Sequence, residues 1–245
     1  MLHNIFCNFC VIYLNAEWNQ GMEERTMVKL VAFDLDGTLS RSDLFLLPAY
    51  REALSRLGAA PLGDERLLAL IGGSYESNRE ALGDRLTPEG YAQFSEIVGD
   101  LAPDYAARYG SAYPNVAESL AALRRAGYLP VLCTNGSQRY AEGVLRAEGI
   151  RELFGELFPG RTDWHKGQVL RQLIVDHGAA AAVMVGDRHF DREAARFNGV
   201  PFVGCLYGLF PEEVRGADAV VADPCELPAA VERLMEPQLR KKRGA

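Results

Sequence analysis

Two carboxylates directly follow a short apolar run near residue 30, a position that favours chemistry over packing. Residues 31–33 are apolar and β-prone, as expected for a buried strand, and the run ends at Asp34 and Asp36. Residues two apart on a strand point to the same side, so these acids repel each other unless a cation lies between them. Oxygen ligands of this kind suit Mg²⁺. For these residues alone, a simple Asp-Gly turn after a strand remains an open alternative.

A second predicted strand ends in groups that can hold phosphate. Residues 129–133 are apolar and β-prone, and Thr134 and Asn135 follow them near the start of a predicted helix. A hydroxyl and the N–H groups of a loop at a helix N-terminus can bind phosphate oxygens. Lys166 lies near another predicted helix start and supplies a compact positive charge suited to a phosphate or a carboxylate. Thr134 as a simple helix cap and Lys166 as a surface lysine are the alternatives.

A third predicted strand, residues 181–185, is followed by Asp187 and Asp191. Their carboxylates could complete a Mg²⁺ shell together with Asp34. Taken singly, Asp187 could cap the helix that follows, and Asp191 could be an acid of its first turn. The carboxyl ends of parallel strands meet at one edge of a sheet, where α/β proteins bind their ligands. We therefore expect all of these polar groups to form one site.

Strand and helix patterns alternate from residue 114 onward, which predicts a parallel sheet covered by helices on both faces. Residues 42–112 differ, because they have helical periodicity and no strand-like run. An all-helical insertion directly after the first strand can fold over the site as a lid. Helices are predicted at residues 47–57, 65–71, 77–82, 87–109, 114–126, 137–148, 166–177, 190–198 and 227–235, and strands at 129–133, 156–158, 181–185, 200–204 and 219–222.

Composition limits the class of protein. The chain has 245 residues, 48% of them hydrophobic and 24% charged, as in a globular protein, and its net charge of -7 argues against nucleic-acid binding. Five cysteines without framework spacing fit a reducing cytosol, and the Cys7/Cys10 pair has no second pair to form a metal site. The apolar stretch 5–14 is shorter than the roughly 20 residues that span a bilayer. We expect a cytoplasmic protein without nucleic-acid or membrane partners.

Four motifs taken together resemble the haloacid dehalogenase (HAD) superfamily of phosphatases. They are DLDGT at residues 34–38, TNG at 134–136, Lys166, and GDRHFD at 186–191. The GDRHFD form is most similar to the phosphoglycolate phosphatase-like branch, and the helical insertion is similar to the family's C1 cap. The resemblance covers residues 28–235. It implies a doubly wound α/β fold, a Rossmann-like core with a parallel sheet and a cap inserted after the first strand.

The same resemblance implies a domain division. Residues 27–41 and 113–237 would form the core domain and residues 42–112 the cap, while residues 238–245 would be a basic tail. Residues 1–26 are expected to be an extension, either disordered or upstream of a true translation start at Met22 or Met27.

Residue roles follow from the resemblance as well. Asp34 would be the nucleophile that accepts the phosphoryl group as an aspartyl-phosphate. Asp36 would protonate the leaving oxygen and then activate water for the second step. Mg²⁺ would be held by Asp34, the backbone carbonyl of Asp36 and Asp187, with Asp191 close by as a ligand or a neighbour of one. The phosphate oxygens are assigned to Thr134, Asn135 and Lys166.

The implied activity is that of a Mg²⁺-dependent phosphatase acting on a small phosphate monoester, phosphoglycolate-like or another metabolite, as a monomer or small homo-oligomer. The Asp36 carboxyl argues against dehalogenation, since a halide leaves without a proton. A phosphonatase needs a cap lysine, and residues 42–113 contain none. A phosphomutase of the β-phosphoglucomutase type and a non-catalytic binding module remain as alternatives.

Substrate choice is expected to depend on the cap. The loop at residues 71–79 occupies the place of the family's specificity loop, with Gly72 and Gly73 allowing close backbone approach and Arg79 as a candidate for an anionic tail. Arg79 could equally be a solvated arginine. Arg188 is expected to lie behind the site, and His189 to be structural or exposed.

Overall fold

A five-stranded parallel sheet forms the centre of the computed structural model, which describes residues 27–155, 157 and 164–243. Its strand order is β2-β1-β3-β4-β5. The strands are β1 (Lys29–Phe33), β2 (Tyr128–Leu132), β3 (Ala181–Gly186), β4 (Phe202–Cys205) and β5 (Ala219–Val221). The helices are α1 (Asp43–Arg56), α2 (Asp64–Ala69), α3 (Tyr75–Ala81), α4 (Pro88–Tyr109), α5 (Val116–Arg125), α6 (Gln138–Ala147), α7 (Lys166–Asp176), α8 (His189–Asn198) and α9 (Leu227–Arg243), with 3₁₀ turns at Arg151–Leu153 and Pro224–Glu226.

Strand β1 lies between β2 and β3, and the three strands end level with one another. Phe33 is in register with Leu132 on one side and with Val185 on the other. The pairing continues one residue further, since the Asp34 N–H donates to the Val185 carbonyl at 2.9 Å. The residues that follow β1, β2 and β3 therefore begin at the same edge of the sheet.

Helices cover both faces of this sheet because alternate strand residues point to opposite sides. Val31 and Phe33 belong to one hydrophobic core, which also contains buried residues of α5, α6 and α9. Leu30 and Ala32 belong to a second core with residues of α7 and α8. The predicted doubly wound α/β fold is thus confirmed.

Helices α1 to α4 come between β1 and β2, as predicted for the insertion. Thr87 caps α4, accepting the Gly90 N–H at 3.1 Å, and Pro88 occupies the first turn as expected. Helix α1 begins at Asp43, four residues before the predicted start, because buried Phe45 and Leu46 extend its apolar face. None of the described helices is long and apolar enough to cross a membrane.

The last helix is longer than predicted. It continues past Met235 and through Pro237 to Arg243, so part of the predicted basic tail is helical. Gln238 explains the extension, since its side chain accepts the Ala182 N–H at 3.3 Å and donates to the Ala182 carbonyl at 3.1 Å. The expectation for residues 1–26 falls outside the described residues, and of the strand expected at 156–158 only residue 157 is described.

Candidate active site

The loop after β1 packs directly on the loop after β3. Gly37 has φ +81° and lies so close to Asp187 that a Cβ would meet the Asp187 Oδ2 at 2.2 Å. Gly186 is equally tight, because a Cβ there would stand 2.2 Å from the Asp191 carboxyl. Only glycine allows these approaches, which explains why both motifs carry one next to an acid. The two loops thereby bring their carboxylates together.

Three buried carboxylates form a cluster at this edge of the sheet. One oxygen each from Asp34, Asp187 and Asp191 lies within 4.8 Å of the others, and all three side chains are buried. The Asp34 Oδ2 has no hydrogen-bond partner. Burial raises the pKa of Asp34 to about 7 and raises that of Asp187, with repulsion from the neighbouring acids adding to both. A divalent cation would relieve this repulsion and bind the free oxygen, so the residues fit a metal site.

Lys166, the first residue of α7, is buried against the cluster. Its Nζ lies 2.7 Å from the Asp34 Oδ1 and 2.7 Å from the Asp191 Oδ1. Burial disfavours the ammonium charge, but the carboxylates of Asp191 and Asp34 outweigh it and raise the pKa of Lys166. The lysine is therefore a permanent cation beside the proposed nucleophile.

Asp36 is held by two hydroxyl groups. Ser42 Oγ and the Tyr140 hydroxyl each donate to the Asp36 Oδ1 at 2.5 Å. Burial raises the pKa of Asp36, while both hydrogen bonds oppose the shift. Neither partner is indicated by the sequence alone. The only available signal is a hydroxyl on an amphipathic helix face that packs towards the sheet, since Tyr140 is buried on α6.

The loop after β2 contacts the cap as well as the site. Thr134 Oγ1 accepts the Gly136 N–H at 3.1 Å, which shapes the loop at the start of α6. Asn135 reaches across to the cap and donates to the Gly72 carbonyl at 2.9 Å. The Asn135 side chain therefore links the loop after β2 to the cap, and the residues that follow Asn135 border the cavity.

The cap glycines lie over the site, whereas Arg79 does not. Gly72 has φ +72°, and a Cβ there would stand 3.9 Å from the Asp34 Oδ2. Gly73 is tight against Asn78, since a Cβ would meet its Oδ1 at 2.3 Å. Arg79 is exposed on α3 and is not among the residues lining the cavity. The structure therefore brings the glycines to the site but leaves Arg79 outside it.

Arg188 joins the core to the cap. Its guanidinium donates to the carbonyls of Ala69 at 3.0 Å and Ile71 at 2.5 Å. The same side chain pairs with Glu213 at 3.1 Å, and the Glu213 carboxylate accepts the His189 N–H at 2.9 Å. Arg188 thus lies behind the site as expected, but its contacts with the cap are not apparent from the sequence.

A cavity of about 500 Å³ extends from Asp36 between the core and the cap. Asp36 and Lys166 line its catalytic end, and Gly72 and Gly73 belong to the cap side. A volume of this order accommodates a small organic molecule. The site therefore has a buried reactive end and a larger compartment beside it.

A family model for haloacid dehalogenase-like hydrolases matches residues 28–199. The chain belongs to this family. The match includes all four motifs and every predicted catalytic, phosphate-binding and metal-binding residue.

Curated relatives place this HAD-like hydrolase near one branch. A phosphoglycolate phosphatase from Vibrio cholerae is 29% identical over 193 residues, covering 74% of this chain and 85% of the relative. Another from Chromobacterium violaceum is 30% identical over 214 residues, covering 82% and 95% respectively. The predicted resemblance to this branch, and the prediction of an enzyme, are confirmed.

Solved structures agree on the fold of the HAD-like hydrolase. A predicted phosphatase from Clostridium acetobutylicum has a TM-score of 0.76 at 21% identity, covering 85% of this chain and all of the other. A predicted phosphoglycolate phosphatase from Haemophilus somnus has a TM-score of 0.70 at 25% identity, covering 84% and 99%.

Proposed function

We propose that this protein is a Mg²⁺-dependent phosphatase that hydrolyses a small phosphate monoester through an aspartyl-phosphate. The observation that carries the proposal is the buried cluster of Asp34, Asp187 and Asp191, with Lys166 bound to two of them and one Asp34 oxygen unpaired. Burying these charges costs desolvation free energy, which their contacts with one another do not explain. A role in phosphoryl transfer beside a bound cation explains why the cluster is there.

The first step would transfer the phosphoryl group to the protein. An oxygen of Asp34 attacks phosphorus while the bond to the ester oxygen breaks, and Asp36 gives its proton to that oxygen. Asp36 suits this role because burial raises its pKa and two hydroxyls fix its orientation. Lys166 offsets the repulsion between the Asp34 carboxylate and an anionic substrate.

The second step would return Asp34 to its starting state. Asp36, now a carboxylate, takes a proton from water, the water oxygen attacks phosphorus, and the bond from phosphorus to Asp34 breaks. Inorganic phosphate leaves, and Asp36 regains the proton that it gave up. Bound Mg²⁺ would supply positive charge to the transferring phosphoryl group. Asp34, Asp187, the carbonyl of Asp36 and the neighbouring Asp191 are the residues that would hold it.

Several expectations accompany this proposal. Thr134, with the loop N–H groups around Asn135, would bind phosphate oxygens together with Lys166. Residues 27–41 and 113–237 would act as the core domain and residues 42–112 as the cap. The enzyme would work in the cytoplasm on a small metabolite, as a monomer or small homo-oligomer. The relatives named phosphoglycolate phosphatase make that ester a necessary member of any substrate panel.

The test is phosphate release from a panel of phosphate monoesters with Mg²⁺ and with EDTA. We expect Asp34→Asn to lower kcat by on the order of 10⁴-fold or more, since the amide cannot attack phosphorus. Asp104→Asn, on the exposed surface of α4, is the matched control and should match the wild type. Circular dichroism would verify that Asp34→Asn is folded.

Two outcomes would contradict the proposal. Activity retained by a folded Asp34→Asn would remove Asp34 as the nucleophile. Activity that is insensitive to EDTA would show that the reaction does not require the metal. Phosphorus NMR of the products distinguishes release to water from transfer to a second sugar hydroxyl, which the mutase alternative requires.

A further inference from the structure

Aromatic rings form the cap side of the cavity. Four aromatic residues of the cap line it, and each contacts the next in the order Tyr75, Tyr91, Phe94 and Tyr50. Ring centroids are 4.8 Å apart for Tyr75 and Tyr91, 6.1 Å for Tyr91 and Phe94, and 5.6 Å for Tyr50 and Phe94. These rings come from α1, α3 and α4, so three cap helices contribute to one aromatic wall.

The core side of the cavity is aromatic as well. Trp164, Phe190 and Phe197, which lie outside the helical insertion, also line it. Phe197 is 45% exposed, and its ring contacts His165 edge-on at 4.7 Å and the Arg171 guanidinium at 4.6 Å. Aromatic rings from both the cap and the core favour a planar apolar group in the cavity.

The charged residues around the cavity also favour an uncharged group. Beyond Asp36 and Lys166 at the catalytic end, the charged side chains of the described lining are Glu76 and Glu193, both exposed. Lys166 is the one lysine, and no arginine belongs to the lining as far as the structure describes it. Its Nζ already contacts two carboxylates.

The guanidinium groups of Arg171 and Arg188 stack on Phe197 and Phe190 but do not belong to the described lining. Within that lining, a carboxylate or second phosphate would meet acids and rings, and the one lysine is already paired.

We propose that the cavity selects phosphate monoesters whose alcohol carries a planar, uncharged, apolar group, and disfavours esters with a second anionic group. This inference rests on the proposed phosphatase activity and specifies its substrate class. It departs from the substrate in the relatives' names, because the alcohol part of phosphoglycolate carries a carboxylate.

The experiment compares esters of unactivated alcohols with the Mg²⁺-loaded wild-type enzyme. Benzyl phosphate and 4-carboxybenzyl phosphate differ in one charge, and cyclohexylmethyl phosphate tests planarity. We expect kcat/KM for benzyl phosphate to exceed that for 4-carboxybenzyl phosphate and phosphoglycolate by about 10- to 100-fold. Cyclohexylmethyl phosphate should fall between them. Equal or better turnover of either carboxylate ester would overturn the inference.

Two variants test the lining directly: one adds a cation to it, and the other removes an aromatic ring. Ser95→Arg places a cation on the cavity rim and should raise kcat/KM for 4-carboxybenzyl phosphate about 10-fold relative to benzyl phosphate. Gln93→Arg puts the same charge on an exposed position of α4 outside the lining and is the matched control. Tyr75→Ala should lower the ratio of benzyl phosphate to phosphoglycolate turnover by about 5-fold. An unchanged ratio in both Ser95→Arg and Tyr75→Ala would contradict the assignment.

A separate substrate distinguishes failure of this inference from failure of the proposed function. p-Nitrophenyl phosphate has a good leaving group and reports phosphoryl transfer with little dependence on the fit of the cavity. If it is hydrolysed by the wild type and not by Asp34→Asn, while a carboxylate ester is preferred, only the substrate class is wrong. If no ester is hydrolysed, the phosphatase proposal fails and the inference fails with it.

Discussion

Glu148 is a largely buried acid outside the carboxylate cluster. Its Oε1 accepts the Ser40 hydroxyl at 2.6 Å, and its Oε2 has no hydrogen-bond partner. Burial raises the pKa of Glu148 to about 7, the Ser40 hydrogen bond opposes this, and the charge of Asp36 adds to it. The folded protein therefore prefers the protonated form of this side chain.

This preference makes stability depend on pH. The ordinary pKa of 4.5 applies in the unfolded chain, so the folded state is penalised increasingly as pH rises from about 4.5 through about 7. Glu148→Gln removes the charge, and we expect it to stabilise the protein by about 1–2 kcal/mol at pH 8 but little at pH 4.5. Urea unfolding at both pH values measures the difference.

The control for this prediction is Glu152→Gln, an exposed acid on the following 3₁₀ turn. Its effect on the unfolding free energy should be small and independent of pH. A Glu148→Gln effect that is equal at pH 4.5 and pH 8 would mean that the folded and unfolded states bind the Glu148 proton equally, so that folding does not raise its pKa.

Among the elements, α6 has a function beyond covering the sheet. It begins at the loop proposed to bind phosphate and carries Tyr140, whose hydroxyl donates to the Asp36 Oδ1. One helix thus fixes both the loop and the orientation of the proposed acid. Because its hydroxyl holds the Asp36 carboxyl, we treat Tyr140 as a positioning residue, although it also lines the cavity.

Tyr140→Phe keeps the ring and removes the hydrogen bond. We expect kcat for benzyl phosphate to fall by about 10-fold, the typical loss for a hydrogen bond to a charged group. Turnover of p-nitrophenyl phosphate should change far less, because its leaving group needs little protonation. Tyr128→Phe, on β2, is the control. An equal loss on both esters would show that Tyr140 only supports the fold.

Sequence patterns predicted the elements better than their contacts. The run at 31–33, the Pro88 start of α4 and the acids after β1 and β3 carry local signals, and the structure has them where expected. The hydrogen bond from Tyr140 to Asp36 joins residues 104 positions apart, and no local pattern encodes it. Arg79 illustrates the reverse case, since its type suggested a role but the turn of α3 leaves it exposed.

On the scale of the whole molecule, Arg188 fastens the core to the cap. Its guanidinium holds the Ala69 and Ile71 carbonyls just before Gly72, the residue that Asn135 binds from the core. The position of the loop over Asp34 therefore depends on two side chains of the core, Arg188 and Asn135.

Arg188→Met keeps much of the side-chain volume and removes the hydrogen bonds. We expect amide hydrogen exchange in residues 69–75 to accelerate about 10-fold, while exchange in β3 stays as in the wild type. Mass spectrometry of the exchanged peptides measures both regions. Arg146→Met, on the exposed side of α6, is the control. Unchanged exchange in residues 69–75 would show that other contacts hold the cap.

The central position of β1 has a consequence for how the protein is made. Both neighbours of β1 come much later in the chain, β2 at Tyr128 and β3 at Ala181. During synthesis β1 emerges early but stays without its neighbouring strands until most of the polypeptide exists. Contacts between residues close in the chain form faster than distant ones, so α1 to α4 should fold before β1 pairs with β2 and β3. The cap is thus expected to fold before the site that it covers is assembled.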